Sequence, residues 1–115
     1  LTVGYGNSVV FLPLPTIDAN YSALLSQLAA QDSSQFLPSS YDATLRKGYL
    51  AQKTLLLSSY ASNSSAILEV FFNGDPTTTT VLQKPLSRGV VTLNITSPYS
   101  DPIIDPRVFT NPTDL

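Results

Sequence analysis

The chain has 115 residues, 43% hydrophobic and only 12% charged, with a net charge of −2, a balance that suits one globular domain with a real core. Its six Lys and Arg residues are scattered, so no basic patch for nucleic acid forms, and no apolar run is long enough to cross a bilayer. Cysteine and histidine are both absent, which removes disulfides, thiolate nucleophiles, zinc–thiolate sites and the usual near-neutral general base together.

The stretch "NSVVFLPLP" (7–15) reads as a buried strand closed by two prolines. The "GYG" before it looks like a glycine-rich phosphate loop, but a strand follows instead of a helix N-terminus, so the anion-binding geometry is missing. From Thr16 the pattern turns helical. Thr16 or Asp18 is placed to cap, and Tyr21, Leu24, Leu25 and Leu28 recur at helical spacing until about Asp32. A second helix is predicted from Ser39 or Ser40 to about Ala61, with Tyr41, Leu45, Tyr49, Leu56 and Tyr60 on one stripe. Tyrosines in that pattern suit core-and-rim packing better than a ligand platform. Gly48, which costs about 1 kcal/mol relative to Ala inside a helix, predicts a kink or a close contact.

Strands resume at "AILEVFF" (66–72), where Ala66, Leu68, Val70 and Phe72 face one way and Ile67, Glu69 and Phe71 the other. Asn73-Gly74-Asp75 is turn chemistry. "TTTVLQKP" and "GVVTLNIT" read as two more strands, the latter burying Val91, Leu93 and Ile95 and turning Asn94 outward, where a glycan fits. Three sequons, at Asn20, Asn63 and Asn94, together with the acidic composition and missing cysteines, point to a secreted extracellular glycoprotein. "NPTDL" (111–115) reads as the cap of a helix. The order of elements predicts an α+β fold, an antiparallel β-sheet with helices packed on one side, as a single domain over residues 1–115. A chain opening inside "LTVGYGN" and stopping at a helix cap is expected to be a piece of something larger.

Residues 85–109 carry a specific pattern: Pro85-Leu86-Ser87-Arg88-Gly89, Val91 and Leu93, then Asp101-Pro102, Ile104-Asp105-Pro106 and Phe109. This resembles the segment that starts the C-terminal region of the glucose–methanol–choline (GMC) family of flavin-dependent oxidoreductases. Ile103 departs mildly, standing where the family often has a proline-spaced apolar residue. "NPTDL" looks like the fungal branch, and Leu1-Thr2 with "GNSVVFLPLP" is similar to the family's upstream strand. Physically, Gly89 permits a tight backbone, Arg88 can bond neighbouring carbonyls, and the Asp-Pro corners fix φ. Arg88, Asp101, Asp105 and Arg107 therefore read as a turn clamp and not as catalytic groups.

The resemblance implies part of a substrate-binding domain in a larger enzyme that oxidises an alcohol or sugar hydroxyl, its proton going to a histidine base and its hydride to FAD. The FAD-binding motif and the catalytic histidine are expected outside this chain, so the segment alone is expected to be inactive. No catalytic, cofactor-binding or metal-binding residue is assigned within it. Alignment on the Pro-x-Ser-Arg-Gly segment puts Phe71 where relatives place an aromatic against substrate, and Val81 near the same cavity. Glu69 shares Phe71's face. For Phe71 the plainer role of a sheet-core aromatic stands beside this one. The implied partners are the small-molecule substrate and the FAD domain of the same enzyme, with no nucleic acid and no membrane. The alternative is a stand-alone extracellular α+β module that binds carbohydrate or protein without a cofactor.

Overall fold

β-Branched and aromatic residues at 8–13 and 66–72 form the long strands of a three-stranded antiparallel sheet in the computed structural model, which describes residues 8–72 and 77–115. The chain divides into two compact units: residues up to Ala30 with Thr54–Lys84, and Gln31–Lys53 with Pro85–Leu115.

In the first unit, β1 (Ser8–Pro13), β2 (Ala66–Phe72) and β3 (Thr79–Leu82) lie in the order β1-β2-β3. β2 spans the residues its alternation predicts. Leu12, Leu68 and Leu82 are paired in one row across the sheet, and all three are half-buried. One row along, on the opposite face, Phe11 and Val81 flank Glu69 and are 57% and 38% exposed. The buried strand expected at 7–15 is thus corrected. β1 is an edge strand with Val9, Val10 and Phe11 exposed, since it pairs on one side only and the central β2 takes the cover.

Proline sets where β1 stops. The register slips between Leu12 and Pro13, and α1 (Leu14–Ile17) begins at once, with Pro15 in its first turn and Leu14 buried. Asp18 closes α1 through its backbone N–H to the Leu14 carbonyl, while its carboxylate accepts from Asn20 N at 2.8 Å. α2 (Tyr21–Ala30) then buries Leu28 and half-buries Tyr21, Leu24 and Leu25, the spacing read from sequence. The 73–75 turn lies outside the described residues.

α3 (Ala43–Tyr60) contributes residues 54–60 to this first unit and 43–53 to the second. In the first, Tyr60 is buried and its hydroxyl donates to the Lys84 carbonyl. The Lys84 ammonium donates to the Ser65 hydroxyl at 2.9 Å and to the Ala66 carbonyl, tying the start of β2 to the residues after β3.

In the second unit, a 3₁₀ turn (Ser33–Phe36) is capped by Asp32, whose carboxylate accepts from Ser34 N at 3.0 Å. α3 starts at Ala43 and not at Ser39 or Ser40, because Asp42 supplies the cap by accepting from Leu45 N at 2.8 Å. Tyr41 therefore precedes the helix. Of the stripe in this unit, Tyr49 is buried but Leu45 is half-exposed. The close contact expected at Gly48 is also corrected, since a Cβ built there meets nothing within 4 Å.

β4 (Val90–Thr92) and β5 (Ile103–Asp105) make a second antiparallel sheet of two strands, with Val91 opposite Ile104. The expected buried face is overturned here: Val91, Leu93 and Ile95 are 69%, 77% and 87% exposed, and β4 stops at Thr92. Asn94 ends the strand: its side-chain Oδ1 accepts from Thr96 N, the Thr96 hydroxyl and Ser97 N, a local turn that competes with the ladder. Buried residues of this unit are Leu37, Tyr49, Leu86 and Asn111, among others. The α+β fold with antiparallel pairing is as expected, its strands divided between two sheets. Among the described residues no helix is long and apolar enough to cross a membrane.

Candidate functional site

The three residues singled out on β2 and β3 come together. Glu69 is directly paired with Val81, and Phe71 lies two residues along β2 on the same face. Glu69 accepts a hydrogen bond from the Gln83 side-chain amide, which fixes its carboxylate. The Thr78 hydroxyl donates to the Phe71 carbonyl and pins the strand there. Phe71 and Glu69 are half-buried.

Two residues of β1 extend this face. Phe11 is paired with Glu69 and Val9 with Phe71, so β1, β2 and β3 together present Val9, Phe11, Phe71 and Val81 around one carboxylate. Alternation along β1 puts Val9 and Phe11 on a common face. Only the register with β2, set by tertiary pairing, tells which residues they meet. Chemically the face offers an apolar, partly aromatic surface with a fixed carboxylate and the hydroxyl of Thr79, which is paired with Phe71.

A polar clamp organises the second unit. Arg88 donates through Nη1 to the Pro85 and Ser87 carbonyls, both at 2.7 Å, and through Nη2 to Gln52 Oε1 at 2.8 Å. Its guanidinium also lies over the Tyr49 ring, 5.3 Å from the centroid. The Tyr49 hydroxyl donates to the Leu86 carbonyl at 3.1 Å. Burial pushes that hydroxyl's pKa above its ordinary value, with Arg88 working against the shift.

The "NPTDL" segment returns to the same place. Asp114 accepts from Leu86 N at 2.8 Å and Ser87 N at 2.7 Å, and the Ser87 hydroxyl accepts from Asn111 N at 2.9 Å. Asn111 is fully buried and exchanges two amide hydrogen bonds with Gln31, at 3.1 and 3.0 Å. It also caps the 3₁₀ turn Pro112–Asp114 by accepting from Thr113 N. Sequence reading found that cap but missed Gln31 and Asp114, whose partners lie far along the chain.

Asp101 and Asp105 stay exposed, and Arg107 reaches the Phe36 carbonyl at 3.4 Å from a left-handed φ of 46°. Arg88 alone of the four expected clamp residues grips its own turn. Lys53 is buried and donates to the Gln31 carbonyl at 2.9 Å, and burial draws its pKa below the ordinary lysine value. Of the sequons, Asn20 and Asn63 are exposed, while Asn94 is half-buried and its amide donates to the Ser100 hydroxyl at 3.2 Å.

The Gly4-Tyr5-Gly6 stretch lies outside the described residues. A dinucleotide site needs a glycine-rich turn from a parallel strand into a helix N-terminus. Among the described residues, Gly48 lies inside α3 and Gly89 beside an antiparallel pair.

No protein-family model matches the chain. It is similar to a dehydrogenase, xptC, of Emericella nidulans, at 29% identity over 100 residues, which are 87% of this chain and 16% of the relative. Two solved structures match its fold and sequence. An FAD-dependent oxidoreductase from Chaetomium thermophilum gives a TM-score of 0.85 at 27% identity over 92% of the chain. A fungal aryl-alcohol oxidase gives 0.78 at 28% over 95%. The GMC resemblance is borne out. The chain spans 18% and 20% of those two structures, so its GMC-like sequence corresponds to a small part of each relative.

Proposed function

We propose that this chain is the substrate-facing segment of an FAD-dependent GMC oxidoreductase that oxidises an alcohol or sugar hydroxyl. The observation that carries this is the gathering of Phe71 and Val81, which the resemblance puts beside substrate, with Glu69 on one open sheet face. FAD supplies the redox chemistry and is held by other parts of the longer protein. The segment's own residues bind and orient: Phe71 and Val81 offer apolar contact, and Glu69, steadied by Gln83, accepts a substrate hydroxyl's hydrogen bond. Secretion is part of the proposal, with exposed Asn20 and Asn63 as glycan acceptors and Asn94 as the more enclosed third.

The test is a visible absorption spectrum of the intact native protein with its mass. Flavin bands and a mass several times 12.4 kDa support the proposal. In that protein Phe71→Ala raises KM for the substrate while flavin content stays constant. A colourless protein whose mass matches these 115 residues refutes it and favours a stand-alone binding module.

A further inference from the structure

We infer that the β4–β5 ribbon and the turn after β5 form a docking surface for another segment of the same longer polypeptide. That segment brings apolar side chains and a carboxylate for Arg107. The inference rests on reading the chain as one part of a larger flavoprotein.

The ribbon has no cover of its own. Val91 and Ile104 are directly paired and share one face, where they are 69% and 65% exposed. On the other face Thr92 pairs with Ile103, and both are again exposed. A ribbon of two strands is marginal in water without a further strand or a packed face. Val and Ile in register on such a ribbon suit a covered surface, and bare they make a contiguous apolar patch.

The turn after β5 shows what else the partner brings. Arg107 and Phe109 both have left-handed backbone, with φ of 46° and 58°, which is uncommon for residues carrying a Cβ. The turn leaves Val108 and Phe109 exposed, yet buries the Arg107 Nε with no hydrogen-bond partner. Among the described residues the guanidinium's acceptor is the neutral Phe36 carbonyl, at 3.4 Å. A buried donor on a full positive charge calls for an anionic acceptor, and a carboxylate matches its planar fork. An arginine beside an exposed aromatic is also the composition of an interface centre.

The occupant follows from the size of the relatives. The solved structures match nearly all of this chain yet are several times longer. Other parts of one polypeptide are therefore at hand to cover the ribbon, at an effective concentration a second copy does not reach.

The experiment uses the full-length flavoprotein containing this segment. These 115 residues hold no cysteine, so Ile104→Cys puts a single reporter thiol in the segment, and its peptide is read by mass spectrometry after N-ethylmaleimide labelling. In the native protein that thiol should label more than about tenfold more slowly than in the urea-unfolded protein, at every protein concentration. Labelling at the unfolded rate overturns the inference, and protection lost on dilution overturns it in favour of a second copy. Hydrogen–deuterium exchange on the unaltered flavoprotein checks the same point without a substitution: amides of 90–92 and 103–105 should be protected, and exchange at the unprotected rate overturns the inference. Arg107→Gln, at unchanged flavin content, should speed labelling of the Ile104→Cys thiol at least about fivefold, and Arg107→Lys, which keeps the charge, by less. No change with Arg107→Gln overturns the carboxylate. A colourless protein whose mass matches these 115 residues overturns both this inference and the reading it rests on, whereas an unprotected ribbon in a longer flavoprotein overturns this inference alone.

Discussion

Two glycines in the second unit make opposite predictions. A Cβ added at Gly89 would lie 2.4 Å from the Asp105 carbonyl oxygen, 2.7 Å from the Pro106 oxygen and 2.9 Å from the Pro106 carbonyl carbon. All three are backbone atoms, and Asp105 is itself paired with Val90, so no side chain can swing away to make room. Forcing a methyl group into such a place costs roughly 1–3 kcal/mol, and the rigid neighbours put Gly89→Ala in the upper part of that range. At Gly48 a Cβ meets nothing within 4 Å, and replacing a mid-helix glycine with alanine stabilises by about 0.5–1 kcal/mol. Urea titration followed by far-UV circular dichroism separates the two. With a slope of about 1–3 kcal/mol per molar urea, Gly89→Ala should lower the midpoint by around 1 M, and Gly48→Ala should raise it by a few tenths. A Gly89→Ala midpoint equal to the parent's would refute the close-approach reasoning. A drop for Gly48→Ala would refute the open-space reading at that position.

Asn111→Ala removes the partner of a buried amide and should cost about 1–3 kcal/mol, read as a fall in unfolding midpoint. Asn111→Asp should cost more, since a carboxylate cannot donate to Gln31 Oε1. Tyr49→Phe loses the bond to the Leu86 carbonyl, about 1 kcal/mol. Tyr49 also gives an alkaline signature. Its folded pKa lies above 10.0, so the unfolded chain releases the proton first and stability falls as pH rises through 10, a decline Tyr49→Phe should flatten. Asp32 works at the other end. Its two bonds from Ser34 hold its pKa below 3.8, so that stability is present above 3.8 and lost as pH falls further. Comparing denaturant midpoints at pH 3 and 6 should show a smaller acid loss in Asp32→Asn. Finally, Val91, Leu93 and Ile104 are exposed together on or beside one short ribbon, so the isolated chain should self-associate. A sharp, concentration-independent monomer in sedimentation would count against that.

Local patterns in the sequence resolved the elements whose partners are local. The period of two in "AILEVFF" gave β2 to the residue, and the 3.6-residue recurrence of Tyr21, Leu24, Leu25 and Leu28 gave α2. Where a polar side chain competes with the pattern, the reading failed: Asp42 moved the start of α3, and Asn94 cut β4 short. The edge position of β1 was hidden for another reason, because an edge strand and a central one have the same hydrophobic run. At the site, alternation placed Glu69 and Phe71 on one face. Phe11 entered only with the β1–β2 register, which no local rule specifies.

Asp114, Asn111 and Ser87 fasten the two feet of the β4–β5 ribbon to each other. Everything between Gly89 and Thr110 is consequently a detour from an already closed base. Lengthening its far tip, around residues 97–100, adds little closure entropy, about 0.6 kcal/mol for each doubling of a loop. The tip is exposed, and among the described residues its hydrogen bonds link Asn94, Ser97 and Ser100. That makes it a docking port for foreign sequence. A short tag or epitope grafted there should leave the stapled base undisturbed.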